Sequence, residues 1–166
     1  KGAVVLMHGV RSNRLSMVER ARFLSRAGYS VLLFDFQAHG ESTGDHITFG
    51  NVDSRDAQAA VQFVRDNLPG EKIAVIGVSL GGAASILASP PLKVNALVVE
   101  MVYPTIDEPI TDRLVLRFGP AGHIIAPLLL FQIRPRLGFS PRELRPIDKV
   151  GQLSGPKLFI AGADDH

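Results

Sequence analysis

Short apolar runs alternate with longer amphipathic segments along most of this chain. Five runs rich in Val, Ile, Leu and Phe predict strands covered on both faces, at residues 3–7, 31–34, 73–76, 96–99 and 158–161. Between the first three runs, apolar residues recur at helical spacing, at positions 17, 21 and 24 and again at positions 57, 60, 61, 64 and 68. A third, shorter helix is expected from Gly81 to Ala88. Strands alternating with helices predict an α/β fold, a mostly parallel sheet with flanking helices.

Residues 104–150 interrupt this alternation before the last predicted strand. The segment contains seven prolines and mixes apolar stretches with arginines. An insertion of this kind forms either a helical lid over the open end of the sheet or a decorated crossover, and the sequence leaves both alternatives open. We therefore expect one domain over residues 1–166 with a lid or cap insertion at 104–150.

Composition and charge narrow the classes of partner. Apolar residues make up 46% of the 166 residues and charged residues 20%, as in globular proteins, and the net charge of +2 gives no reason to expect a nucleic-acid partner. The absence of cysteine excludes disulfides and thiolate metal sites, and the histidines lack spaced ligand partners, so we expect no metal and no cofactor.

Both ends of the chain look cut. It begins at Lys1 and stops directly after an apolar run, so we expect further sequence on either side. The longest apolar stretch, residues 124–133, contains Pro127 and is too short to span a bilayer. Membrane association stays open, and the compartment is undetermined, with the cytoplasm as default.

The strongest chemical motif is GVSLGG at residues 77–82, between a predicted strand and a predicted helix. A serine hydroxyl is a poor nucleophile until it is exposed on a sharp turn and given a base. Such a turn crowds the positions two residues away on each side, and here both are glycine, Gly77 and Gly81. Ser79 is therefore the candidate nucleophile. The helix that follows directs its positive end toward the site.

The end of the first predicted strand, MHGV at residues 7–10, offers a second element of the same site. A tetrahedral oxyanion needs two converging backbone N–H donors, which we assign to Val10 and Leu80. His8 is interpreted as a structural residue that shapes this loop.

Four motifs in order together resemble the α/β-hydrolase superfamily, in its serine-hydrolase branch with a dienelactone-hydrolase or acyl-transferase-like core: HG at 8–9, DFQAHGES at 35–42, GVSLGG at 77–82 and GADD at 162–165. Gln37 and Ala38 stand where the family usually has Arg and Gly. The resemblance implies that Asp35 and His39 anchor a loop, and that an ester or related acyl bond is cleaved through an acyl-enzyme.

The resemblance also implies a catalytic acid and a histidine. It selects Asp165, with Asp164 and Glu100 as alternatives, and it puts the histidine in a turn after one further strand, beyond His166. Residues 1–166 by themselves are therefore expected to be nearly inactive. The expected partner is a small acyl substrate, with Leu128, Leu129 and Phe131 of the insertion lining its apolar pocket.

Two other classes of protein remain as alternatives. A hydrolase relative could serve as a non-catalytic binding module, which the absence of any histidine downstream of Asp165 in the complete gene would favour. A nucleotide-binding domain is the weaker alternative, because Ser79 occupies the second position of a Gly-x-Gly-x-x-Gly-like pattern, where close approach of a pyrophosphate requires glycine.

Overall fold

A single parallel sheet forms the centre of the molecule. The structure, a computed structural model, describes residues 1–162, and within them the strands are β1 (Ala3–Met7), β2 (Ser30–Leu33), β3 (Ile73–Val78), β4 (Ala96–Glu100) and β5 (Lys157–Ile160). Their order across the sheet is β2-β1-β3-β4-β5, and every neighbouring pair is parallel. Each predicted strand is confirmed to within one or two residues.

The strand register brings all the carboxyl ends to one edge of the sheet. Met7 at the end of β1 lies opposite Gly77 in β3, and Val78 lies opposite Glu100 at the end of β4. Glu100 in turn pairs with Ile160, the last residue of β5. The turns that follow these strands are therefore neighbours, which is where open α/β sheets bind ligands.

Helices cover both faces of the sheet. They are α1 (Val18–Arg26), α2 (Asp53–Asn67), α3 (Leu80–Leu87), α4 (Asp107–Phe118), α5 (Gly122–Leu137) and α6 (Pro146–Lys149). Alternate strand residues point to opposite faces. Val5 and Val75 therefore belong to the core shared with α2 and α3, whereas Val4 and Leu6 pack with Met17 and Ala21 on the side of α1.

The insertion folds as a helical hairpin. Gly122 at the start of α5 lies so close to α4 that a Cβ there would overlap the backbone of Leu114 and Val115. On its inner side, Ile133 joins a small apolar cluster with Ala83 and Leu87 of α3. The predicted helical packing is thus observed, beside the helix that follows Ser79. Whether the hairpin acts as a lid stays a prediction.

Candidate active site

Ser79 is the single residue between the end of β3 and the start of α3. Its φ is 48° and its ψ is −107°, in a region that strains any residue with a Cβ. The predicted strained turn between strand and helix is confirmed. Ser79 is half-buried, and its side chain does not cap α3. The hydroxyl is therefore not used in holding the helix.

Two glycines make this turn possible. A Cβ at Gly77 would lie 2.6 Å from the carbonyl oxygen of Gly81 and from the nitrogen of Gly82. A Cβ at Gly81 would lie 2.5 Å from the carbonyl oxygen of Met7. These neighbours are backbone atoms, which cannot move without disturbing the sheet. Glycine at both positions is a steric requirement of the turn around Ser79.

The turn after β1 lies directly against Ser79. A Cβ placed on Gly9 would be only 3.7 Å from the Cβ of Ser79 and from the carbonyl oxygen of Val78. Val10 follows in this turn, and Leu80 is the first residue of α3, where backbone N–H groups have no partner within the helix. Val10 and Leu80 therefore belong to adjoining turns at one sheet edge. Their role as oxyanion donors stays a prediction.

His8 is buried, and both of its ring nitrogens are engaged. Its Nδ1–H donates to the carbonyl of Gly9 at 2.8 Å, and its Nε2 accepts the backbone N–H of Phe36 at 3.2 Å. This pattern requires the neutral ring. Burial is the largest cause that lowers the pKa of His8, and the bond to Gly9 opposes it only in part. His8 thus ties the turn beside Ser79 to the chain after β2, as its structural interpretation expected.

The loop after β2 is held by Asp35. This buried carboxylate accepts the backbone N–H groups of Arg14 at 2.6 Å and Glu41 at 3.0 Å, and it pairs with the Arg14 guanidinium. Burial raises the pKa of Asp35, but these donors outweigh it and hold the pKa below its usual range. The Nδ1–H of His39 donates to the carbonyl of Gln37 at 2.8 Å. Both residues are loop anchors, as the sequence suggested.

The candidate acids are only partly within the described residues. Asp164 and Asp165 lie outside residues 1–162, so their assignment stays a prediction. Glu100 ends β4, its carbonyl accepts the Ser79 N–H at 2.8 Å, and its side chain forms a 2.5 Å ion pair with Arg20 of α1. Glu100, the alternative acid, therefore lies beside Ser79 across the sheet, and its carboxylate is paired with Arg20.

A buried polar cluster that was not predicted from the sequence lies next to the site. Asp53, fully buried in the first turn of α2, accepts the Thr48 hydroxyl at 2.6 Å and the Gly50 N–H at 2.8 Å. Its second oxygen has no hydrogen-bond partner within residues 1–162. The Tyr103 hydroxyl donates to the carbonyl of Phe49 in the same loop, and burial, followed by the Asp53 charge, raises the pKa of Tyr103.

The loop that contains Gly50 packs closely against α3, the helix that begins directly after Ser79. A Cβ at Gly50 would lie 3.0 Å from the Cβ of Ala83, one turn beyond Ser79. One sequence pattern could have predicted the cluster: an aspartate in the first turn of a helix, shortly after a threonine and a glycine. Such an aspartate commonly accepts hydrogen bonds from free backbone N–H groups at the start of the helix.

The three predicted pocket residues lie on different sides of α5. Leu129 is 44% exposed, although Leu130 next to it packs against the apolar cluster beside α3. Leu128 and Phe131 face away from it, with 64% and 79% of their surface exposed. The pocket role of all three stays a prediction. Within residues 1–162 no group of three or more His, Asp and Glu side chains could hold a metal ion.

Comparisons with known proteins agree with this architecture. Residues 1–105 match the family model described as serine aminopeptidase, S33. The chain is 24% identical to the uncharacterized protein YqkD of Bacillus subtilis over 166 residues, covering 98% of this chain and 54% of YqkD. It is 29% identical to the α/β-hydrolase domain-containing protein WAV2 of Arabidopsis thaliana, covering 93% and 49%. The chain spans about half the length of these curated relatives.

Solved structures resemble it in the same way. The Pyrococcus furiosus esterase Pf2001 superposes with a TM-score of 0.71 at 25% identity, over 95% of this chain and 60% of the esterase. A monoacylglycerol lipase from Paleococcus ferrophilus superposes with a TM-score of 0.61 at 20% identity, over 97% of this chain and 73% of the lipase. At that identity the second likeness shows the fold alone.

Proposed function

Since this chain belongs to the serine aminopeptidase S33 family of α/β hydrolases, we propose that it carries the nucleophile half of a serine hydrolase that cleaves a carboxylic ester or a related acyl bond. The observation that carries the proposal is the strained turn at Ser79, with a φ of 48° between β3 and α3. Strain of this kind persists where the surrounding structure requires it, and it is concentrated at functional sites. The esterase among the similar structures supports the ester as substrate class.

The first half of the proposed reaction uses Ser79 Oγ as nucleophile. As Oγ attacks the substrate carbonyl carbon, its proton passes to a histidine, and the carbonyl oxygen takes the negative charge. The N–H groups of Leu80 and Val10, together with the positive end of α3, stabilise that oxyanion. Collapse of the intermediate expels the alcohol, which takes the proton from the histidine and leaves an acyl-enzyme on Ser79.

The second half returns the enzyme to its starting state. The same histidine removes a proton from water, the hydroxide attacks the acyl carbonyl, and the carboxylic acid leaves as Oγ regains its proton. We propose that this histidine lies C-terminal to Asp165 in the complete protein and is oriented by that carboxylate. His8 cannot serve, because both of its nitrogens are engaged.

The helical hairpin would supply the acyl pocket. Leu129 is partly exposed on α5 and adjoins Leu130, which packs against the apolar cluster with Ala83 and Leu87 of α3, the helix that begins directly after Ser79. An apolar side chain there suits an apolar acyl group. Replacing Leu129 with Glu should then change the chain-length preference in an ester series, whereas an unchanged preference would place the hairpin outside the pocket.

A fluorophosphonate probe tests the nucleophile directly in the full-length protein. We expect stoichiometric labelling that is lost in Ser79→Ala and kept in Ser16→Ala, the matched control, whose hydroxyl is on an exposed turn. Unchanged labelling of Ser79→Ala would refute the assignment. A folded wild-type protein that neither labels nor hydrolyses esters would favour the non-catalytic binding module.

Turnover of an aryl ester separates the candidate acids. A loss of several orders of magnitude in Asp165→Asn but not in Asp164→Asn would support the proposed acid. The opposite pattern would move the role to Asp164, and loss in neither would bring Glu100 forward.

A further inference from the structure

The outer face of α5 carries a stripe of exposed apolar side chains. At 100° per residue, Ile124, Leu128, Phe131 and Pro135 lie within about 60° of one another on one side of the helix. The first three are 75%, 64% and 79% exposed. This outer α5 stripe is opposite the side on which Ala126 and Ile133 are buried. A helix that is apolar all round is normally covered on every side.

Arginines flank the stripe, and within residues 1–162 they form no ion pair with a carboxylate. Arg134 and Arg136 lie on its two sides at the end of α5, both exposed. Between Asp112 and Glu143 the sequence has five arginines and no acidic residue. The ion pairs found within residues 1–162 are made by other arginines: Arg14, Arg20, Arg22 and Arg145.

Neither helix of the hairpin is long enough by itself to cross a membrane in a straight span. Residues 107–137 are together long and apolar enough to cross a bilayer, with a mean hydropathy of 1.6 in the most apolar window. However, the chain turns back at 119–121, so α4 has 12 residues and α5 has 16. A straight span needs about 20. Exposed apolar side chains with arginines on either side are the groups by which a helix of any length can lie in the membrane interface.

We propose that the outer α5 stripe docks this protein on an anionic lipid bilayer. Ile124, Leu128 and Phe131 enter the boundary between headgroups and acyl chains. Arg134 and Arg136 extend their apolar stems along it and place their guanidinium groups among the phosphates. The partner is a membrane with negative surface charge, because the arginines provide the complementary charge. The proposal does not depend on hydrolase chemistry, since docking needs neither Ser79 nor a substrate.

Vesicle co-sedimentation with the full-length protein tests the docking. We expect binding to vesicles of phosphatidylcholine with phosphatidylglycerol, at least about tenfold weaker on phosphatidylcholine alone, and weakened further by salt. Phe131→Ser should reduce binding about tenfold or more. Phe23→Ser is the matched control, because Phe23 is 72% exposed on α1 and should have no effect.

The charge requirement has its own pair of variants. Arg134→Gln combined with Arg136→Gln should reduce binding to the anionic vesicles about tenfold or more, whereas Arg22→Gln, which removes an arginine already paired with Glu19, should not. Thermal unfolding of each variant should match the wild type, since all these side chains are exposed. The proposal is overturned if neither vesicle binds, if Phe131→Ser binds like the wild type, or if the stripe instead mediates a dimer that Phe131→Ser dissociates.

Discussion

The fold constrains the residues around Ser79 much more tightly than it constrains the residues on the outer face of α5. Around Ser79, backbone atoms approach so closely that a single Cβ at Gly81 would reach 2.5 Å from the Met7 carbonyl oxygen. On the outer face of α5, Phe131 is 79% exposed and touches little of the domain. In the first region the fold dictates each residue, whereas in the second the fold permits almost any helix-forming residue. Apolar side chains at such a permissive position suggest a requirement other than folding.

The largest loss of stability is expected when a single methyl group is added at the turn around Ser79. Gly81→Ala should lower the free energy of unfolding by about 3 kcal/mol or more, because the methyl group would meet the Met7 carbonyl and the β1 backbone would have to shift. Gly151→Ala is the control, since a Cβ there meets no atom within 4 Å and its backbone needs no positive φ. Chemical denaturation measures both. Equal stabilities would mean that the turn is much looser than described.

The sequence predicted the sheet and the turn more fully than it predicted the hairpin. The buried strand β1 and the contact of Gly77 with Gly81 have local causes, so both can be predicted from neighbouring residues, whereas the contact of Gly81 with Met7 arises only in the fold. The two faces of α5 depend on what lies beside the helix, which local spacing does not reveal. Local spacing therefore predicts one pocket for Leu128 and Leu129, although neighbouring positions on a helix point about 100° apart. In the Asp53 cluster, the contact between Thr48 and Asp53 is local, but Tyr103 reaches the carbonyl of Phe49 only in the fold, so the whole cluster could not be predicted from the sequence.

A second prediction concerns the polar bracing of α3. Asp53→Ala should cost about 2–3 kcal/mol, because it leaves the Thr48 hydroxyl and the Gly50 N–H buried without their acceptor. Asp66→Ala, an exposed change on the same helix, should stay within about 0.5 kcal/mol of the wild type. Denaturant midpoints of the two variants give the comparison. A small effect of Asp53→Ala would show that this loop contributes little to the stability of the region around Ser79.

A third prediction follows from the buried neutral ring of His8. Burial holds its pKa below the ordinary 6.5 in the folded protein. Below pH 6.5 the unfolded chain therefore takes up a proton that the folded chain does not, and the free energy of unfolding falls as the pH is lowered. One such group contributes a slope of at most about 1.4 kcal/mol per pH unit.

Stability measured from pH 7.5 to 5 in His8→Gln should lack this part of the slope, although the variant is less stable throughout. His46→Gln, at an exposed position, should keep the slope of the wild type. If His8→Gln and the wild type have parallel profiles, the ring is not held neutral by the turn beside Ser79.

The smallest expected effect is the sharpest test of the outer face of α5. Leu128→Ala should change the free energy of unfolding by no more than about 0.5 kcal/mol, because the side chain is 64% exposed and alanine favours the helix. Ile133→Ala, on the same helix, should cost about 2–4 kcal/mol, since Ile133 is 7% exposed in the cluster beside α3. Both are measured by denaturation without vesicles. A large cost at Leu128 would mean that another part of the full-length protein covers the stripe, and the surface would then no longer be available to a membrane.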